Sequence, residues 1–169
     1  MSMTMYQLSV PTFIHMLTSL STLLQKAASY ATAKKIDPSI LAGSRLFPDM
    51  LPLTKQVQIA TDSAKGCAAR LAGQQPPAYE DNETTLDELS ARVQKTIDYL
   101  NTFNPLQIDG SENRNIDLKI GSYELKFTGQ HYLERFALPN FYFHVVTAYN
   151  ILRHNGVDIG KQDYLGKIQ

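Results

Sequence analysis

The stretch from Pro139 to Gly156, PNFYFHVVTAYNILRHNG, constrains the fold most, because it specifies a helix with its own start, stop and buried face. Pro139 suits the first helical position, where a missing N–H costs nothing, and Gly156 suits the left-handed position just past a helix end. Between them Phe141, Val145, Ala148 and Leu152 recur at helical spacing, with Ile151 widening the stripe, so one face is expected to pack on other helices. Arg153 and His154 fall in the last turn, where the helix dipole favours positive charge. His144 lies beside the apolar stripe and Asn140, one turn earlier, on its flank. Two polar side chains are thus predicted to look along one edge into a helical bundle.

The rest of the chain supplies partners for that helix. Val10, Phe13, Ile14, Leu17, Leu20, Leu24, Ala28 and Ala31 hold the helical period, predicting a first helix from about Val10 to Lys34 with Ser9 as cap and Pro11 in its first turn. His15 projects to the opposite, solvated side. Asp37-Pro38 opens a connection whose Leu41, Leu46 and Phe47 are apolar enough to pack on the bundle. A second helix follows Pro52, with Leu53, Val57, Ala60, Ala64, Cys67 and Leu71 as its stripe and Gly73 as its stop. Ala60, Ala64 and Ala68 let a neighbouring helix come close. Gln56 sits on the edge of the stripe, either facing inward or bonded to a loop at the rim, whereas Gln58 and Asp62 are expected to point away. The third helix opens with a capping box, Thr85 and Glu88, and carries Leu86, Leu89, Val93, Ile97 and Leu100 before Asn104-Pro105, with a solvated outer face of mixed charge.

From Ile116 to Phe127 the apolar period changes from helical to alternating, which predicts a hairpin turning at Gly121-Ser122. That register sets Ile120 opposite Tyr123, Leu118 opposite Leu125 and Ile116 opposite Phe127 on one face, with Lys119–Glu124 and Asp117–Lys126 pairs on the other. An isolated hairpin is marginal in water, so its apolar face should lie on the helices or on a second subunit. The segment Gly129 to Leu138 reads as a short helix or turn, with His131 and Arg135 either on the surface or reaching a pocket at the start of the last helix. After Gly156 the tail is expected to wrap over the bundle without regular structure.

Composition narrows the function classes. A chain of 169 residues makes one ordinary domain, spanning 1–169, that buries roughly 70% of its unfolded surface without disulfide or metal staples. Sixteen basic residues balance sixteen acidic ones, so no net field argues for nucleic acid or an anionic membrane. The single cysteine, Cys67, falls near an apolar stripe and suits a reducing compartment. The N-terminus lacks the basic region of a signal peptide and no run approaches the roughly 20 apolar residues of a membrane span, so a cytoplasmic protein is expected. The one loop long and polar enough to move is Gly73 to Asp81, GQQPPAYED.

No glycine-rich phosphate loop, dinucleotide fingerprint, HExxH, GxSxG or paired CxxC is present, which removes the mechanisms those motifs carry. The four histidines are scattered, and only Asn140 and His144 share the i, i+4 geometry through which two ligands on one helix hold an ion. Asparagine is a poor ligand for zinc or nickel. His144 is therefore either a neutral, hydrogen-bonded packing residue or a ligand or general base.

The blocks YQLSVPTF, PDMLPLTKQVQIA, LPNFYFHVVTAYNILRHNG and GKQDYLG resemble an uncharacterised bacterial domain-of-unknown-function family of the DinB-like, YfiT-like metalloenzyme superfamily, over essentially the whole chain. The resemblance implies a mainly α fold: a DinB-like four-helix bundle with long connections, here with one small hairpin before the last helix, often as a homodimer. Superfamily members with a metal site use one histidine of the second helix and an HxxxH pair on the last, and some are thiol-dependent transferases or isomerases. His144 looks like the second histidine of that pair. Asn140 takes the place of the first, and Gln56 stands where the second helix would offer a histidine. A complete metal triad is therefore not expected, with His144 the only matching ligand. The reading favoured is a bundle that binds a small polar ligand, or its own partner subunit, through Gln56, Asn140 and His144. The alternative is a divalent-transition-metal-dependent transferase or hydrolase in which His131 or a carboxylate substitutes.

Overall fold

The computed structural model describes residues 3–167. Helix α1 (Met5–Lys34) begins five residues before the expected start. Its cap is Thr4, whose Oγ1 accepts the Gln7 N–H at 3.3 Å while Gln7 Oε1 accepts the Thr4 N–H at 3.1 Å. This reciprocal box satisfies orphan amides upstream of Pro11, so the proline lies inside the helix on its exposed side rather than at its start. Ser9 is buried in the first turns, its hydroxyl donating to the Met5 carbonyl at 2.6 Å.

A short helix α2 (Pro38–Gly43), capped by Asp37, leads to α3 (Leu53–Leu71). Leu41 is buried and Leu46 partly so, but Phe47 stands in solvent, contrary to expectation. Helix α4 (Leu86–Leu100) starts at the Thr85–Glu88 capping box, as the sequence predicts. After α5 (Pro105–Ile108) comes the hairpin β1 (Asn115–Ile120) and β2 (Tyr123–Thr128), in the register derived from the sequence. Gly121 turns at φ +57°, the positive value that a type II′ turn asks of its first residue.

The chain then enters one continuous helical run: α6 (Gly129–Tyr132), a π-turn (Leu133–Ala137) and α7 (Leu138–His154). Pro139 is not a start. It follows the π-turn, where the hydrogen-bond ladder is already widened and a missing donor is tolerated. Gly156, at φ +88°, ends the run as expected. The tail is more regular than its glycines suggest, folding a short helix α8 (Lys161–Leu165) against α1. It is held there by His15 Nε2 on the Leu165 carbonyl at 2.7 Å and by the Lys26–Asp163 pair at 2.7 Å.

The four long helices form a bundle in which α1 and α3 each lie against both α4 and α7. Phe13 and Phe141 meet edge to face at 4.9 Å across the α1–α7 contact. Ala60, Ala64 and Ala68 on α3 are fully buried, so the backbone of that helix comes close to its neighbours. The hairpin is anchored at its base and, through half-buried Leu118, at its middle. Ile116 is buried and Phe127 packs on Tyr132 and Phe136, whereas Ile120 and Tyr123 at the tip are 44% and 72% exposed. No helix of the described residues is long and apolar enough to cross a membrane.

Candidate functional site

Helices α3 and α7 run side by side, and their shared edge joins the polar residues read from the sequence. His144 on α7 is buried, and its Nδ1 lies 2.7 Å from Oε1 of Gln56 on α3, itself 2% exposed. Gln56 Nε2 donates to the Leu51 carbonyl at 3.0 Å. A backbone carbonyl can only accept, so it fixes which end of the amide is which. The end facing His144 is therefore the acceptor, Nδ1 carries the proton, and Nε2 is left with a lone pair. Burial lowers the His144 pKa, so the ring is held neutral at pH 7.

Nε2 has no protein partner among the described residues. It is not sealed in either: the fully buried side-chain nitrogen and oxygen atoms without a partner there are Gln58 Oε1 and Ser111 Oγ. Beside the imidazole stands Phe143, edge to face at 5.2 Å and 55% exposed. Asn140, one turn upstream, donates from Nδ2 to Ser63 Oγ at 2.8 Å, a second α3–α7 cross-link on the same edge. Gln56 thus fulfils both expectations for it, bonded to a loop and facing inward. His131 does not join the group: it is exposed on α6, at the upstream end of the continuous run.

The donor set does not fit a divalent transition metal. Amide oxygens are neutral, weak ligands for such ions, Gln56 Oε1 is occupied by the imidazole N–H, and the Asn140 amide is tied to Ser63. Among the described residues no group of three or more His, Cys, Asp or Glu side chains could hold an ion. Cys67 is fully buried and its thiol is pushed well above the ordinary range by desolvation, so it offers no nucleophile.

A second polar centre went unread in the sequence. Arg92 on α4, expected on a solvated face, is 4% exposed and held by several partners. Nε donates to Thr61 Oγ1 at 2.8 Å, Nη1 to the Glu80 carbonyl at 3.0 Å and Glu83 Oε1 at 2.9 Å, and Nη2 reaches Asp62 Oδ1 at 2.9 Å and Asp81 Oδ1 at 3.1 Å. Gln58, expected to point outward, is 1% exposed and donates to Glu83 Oε2 at 2.8 Å. Asp62 is half-buried in the same cluster and also pairs with Lys65 at 2.7 Å. Burial would raise the carboxyls of Asp81 and Glu83, but bonds from Lys55, Gln58 and Arg92 outweigh it and hold both below their usual range. The loop expected to move is therefore strapped down by its own acids. Its Tyr79 ring is ringed by cations, with Lys95 Nζ at 4.2 Å, Lys65 Nζ at 4.5 Å and Arg92 Cζ at 5.3 Å from the centroid. A cleft of about 530 Å³ opens beside Tyr79, Glu83, Arg92 and Lys95. Four hydrogen bonds and the ion pair with Asp81 already engage the Arg92 guanidinium, which makes it a poor donor to a ligand in the cleft. The available signal was position: Leu89, Arg92 and Thr96 recur at helical spacing beside the stripe, opposite an acidic loop.

Comparison with known proteins agrees with this architecture. The model of a family described as Domain of unknown function (DUF1993) matches residues 5–165. A crystal structure of a DinB family member protein from Shewanella denitrificans is similar at 42% identity, covering 96% of this chain and 92% of that one, with a TM-score of 0.86. No curated protein matches the chain. A family match over nearly the whole length and a shared bundle together place the chain: it belongs to the DinB-like family of unknown function DUF1993.

Proposed function

We propose that this is a cytoplasmic, non-catalytic binding bundle that takes a small polar ligand at the α3–α7 edge, through Gln56, Asn140 and His144. The observation that carries the reading is the relay from the Leu51 carbonyl through Gln56 to His144, which leaves an imidazole lone pair with no partner among the described residues, beside exposed Phe143. A neutral imidazole with Nδ1 protonated accepts at Nε2, so the ligand presents a hydroxyl, amide or ammonium donor there and an apolar surface to Phe143. A carboxylate or phosphate, which cannot donate when ionised, is disfavoured.

The alternative, a metal-dependent transferase or hydrolase, keeps the same lone pair as a ligand and recruits His131 or a carboxylate. Two measurements on protein purified without an affinity tag separate the readings. Native mass spectrometry is expected to find a small organic molecule retained by the wild type and lost from His144→Ala. Elemental analysis finding about one transition-metal ion per chain would overturn the binding reading in favour of the metal. If His144→Ala changed neither retained molecule nor metal content, the site itself would be wrong.

A further inference from the structure

The two strands of the hairpin carry a pattern that its fold uses only once. From turn residue Ser122 through β2 the chain reads Ser122, Tyr123, Glu124, Leu125, Lys126, Phe127, Thr128. Laid antiparallel against a second copy of itself with Leu125 on the two-fold axis, each residue meets a complement: Glu124 meets Lys126, Tyr123 meets Phe127, and Ser122 meets Thr128. The hydrogen-bonding phase agrees. In a hairpin closed by a two-residue turn, the flanking pair Ile120 and Tyr123 exchanges hydrogen bonds, as do Leu118 with Leu125 and Ile116 with Phe127. The N–H and C=O groups of Glu124 and Lys126 consequently point out of the open edge, where the antiparallel partner needs them.

That edge is free. The sheet has only these two strands, and no hydrogen bond from outside the hairpin reaches the backbone of residues 115–127 among the described residues. The edge of β1 has a similar pattern, but its start at Asn115, Ile116 and Asp117 is flanked by Gly73, Gln74 and Gln75 after α3. Among the described residues no backbone hydrogen bond from a loop reaches residues 123–127 of β2. The tip also needs cover: Tyr123 is 72% exposed and Leu125 half-buried, and both lie on the apolar face with Phe127.

We propose that the outer edge of β2 pairs antiparallel with the β2 edge of a second copy of this chain, centred on Leu125, to make a four-stranded sheet across a two-fold axis. Glu124 and Lys126, which stand opposite Lys119 and Asp117 in the hairpin register, then form two interchain pairs, and the Tyr123 ring comes beside the partner's Phe127. The homodimer expected from the family resemblance thereby acquires a defined surface. The contact is small, so the association is weak and concentration-dependent. The surface does not involve His144 and stands or falls without the ligand site.

The test uses the full chain and three substitutions, one of them a control. Lys126→Pro removes an outward N–H that the hairpin does not use, a position where an edge strand tolerates proline. Leu125→Cys sets two thiols across the axis as a non-hydrogen-bonded pair with Cα atoms about 4.5 Å apart, within disulfide reach. Sedimentation is expected to show the wild type dimerising as concentration rises and Lys126→Pro staying monomeric with an unchanged circular dichroism spectrum. Under mild oxidation Leu125→Cys becomes a covalent dimer, whereas Leu118→Cys does not. A wild type that is monomeric throughout with no Leu125→Cys cross-link, a dimer that survives Lys126→Pro without that cross-link, or cross-linking through Leu118→Cys instead would each overturn the proposal. If Lys126→Pro unfolds the hairpin, the cysteine pair alone decides.

Discussion

Gln56 Oε1 accepts the Nδ1 proton of His144 at 2.7 Å, and the Leu51 carbonyl takes the other end of the same amide. One backbone oxygen therefore decides, through a glutamine, which nitrogen of a buried imidazole is basic. Replacing Gln56 with leucine keeps the volume and removes the acceptor. The Nδ1 proton then has no reason to stay, and the variant is expected to lose about 1–3 kcal/mol of stability from the polar groups left unpaired at the Leu51 carbonyl and the imidazole. Nitrogen NMR of the His144 ring is the direct check: the wild type shows Nδ1 protonated, and Gln56→Leu shifts the population toward Nε2. A wild type already protonated at Nε2 would sink the relay.

Stability near neutral pH follows from the same ring. Burial places the folded pKa of His144 below its unfolded value of about 6.5. The unfolded chain therefore binds the proton first as pH falls, so this contribution is complete above about pH 6.5 and is lost as pH drops through the folded pKa. Urea denaturation across this window is expected to show stability declining toward acid, with the decline reduced in His144→Gln. An identical slope in the variant would assign the decline to other groups.

Pro11 makes a different prediction, because it sits inside α1 with its ring on the exposed side. It withholds the N–H that would otherwise close a bond to the Gln7 carbonyl, an interior defect worth up to about 3 kcal/mol. Proline also restrains the unfolded chain, which returns roughly 1 kcal/mol. Pro11→Ala is accordingly expected to raise the midpoint of thermal unfolding, as followed by circular dichroism; a lower midpoint would mean that the ring is needed for packing.

The prolines also show where sequence reading stops. A proline is a good start signal only if nothing upstream can begin the helix, and here two things can: the Thr4–Gln7 box before Pro11 and the π-turn before Pro139. Local pattern did resolve what depends on local pattern. The hairpin register, the α4 box and the apolar stripes all follow from spacing alone. The His144–Gln56 pairing spans 88 residues, and its members were recognised because each lies beside a stripe. Arg92 was equally close to a stripe but was read as solvent-facing, since a lone arginine on a mixed-charge helix gives no sign that Asp62, Asp81 and Glu83 will close over it. Charges that meet only after folding are invisible to periodicity.

That cluster supports a sharp prediction. Arg92 joins Thr61, the Glu80 carbonyl, Glu83, Asp62 and Asp81, so removing it leaves the three carboxylates to Gln58, Lys65 and Lys55 alone and loosens the loop between α3 and α4. Arg92→Ala is expected to cost about 1–3 kcal/mol, the range for losing hydrogen bonds to charged groups that keep other partners. Lysine restores charge but not the planar fork, and cannot bridge a hydroxyl, a carbonyl and three carboxylates at once, so Arg92→Lys recovers only part of the loss. Limited proteolysis adds a local readout, with cleavage between Gln74 and Thr84 rising in both variants while α1 and α7 stay protected. The acid limb has a defined sign as well. Asp81 and Glu83 titrate below their unfolded values, so the strap is intact above about pH 4.5 and is lost as pH falls through their depressed folded pKa values. A loop cut at neutral pH as readily in the wild type as in Arg92→Ala would show that the guanidinium does not hold it.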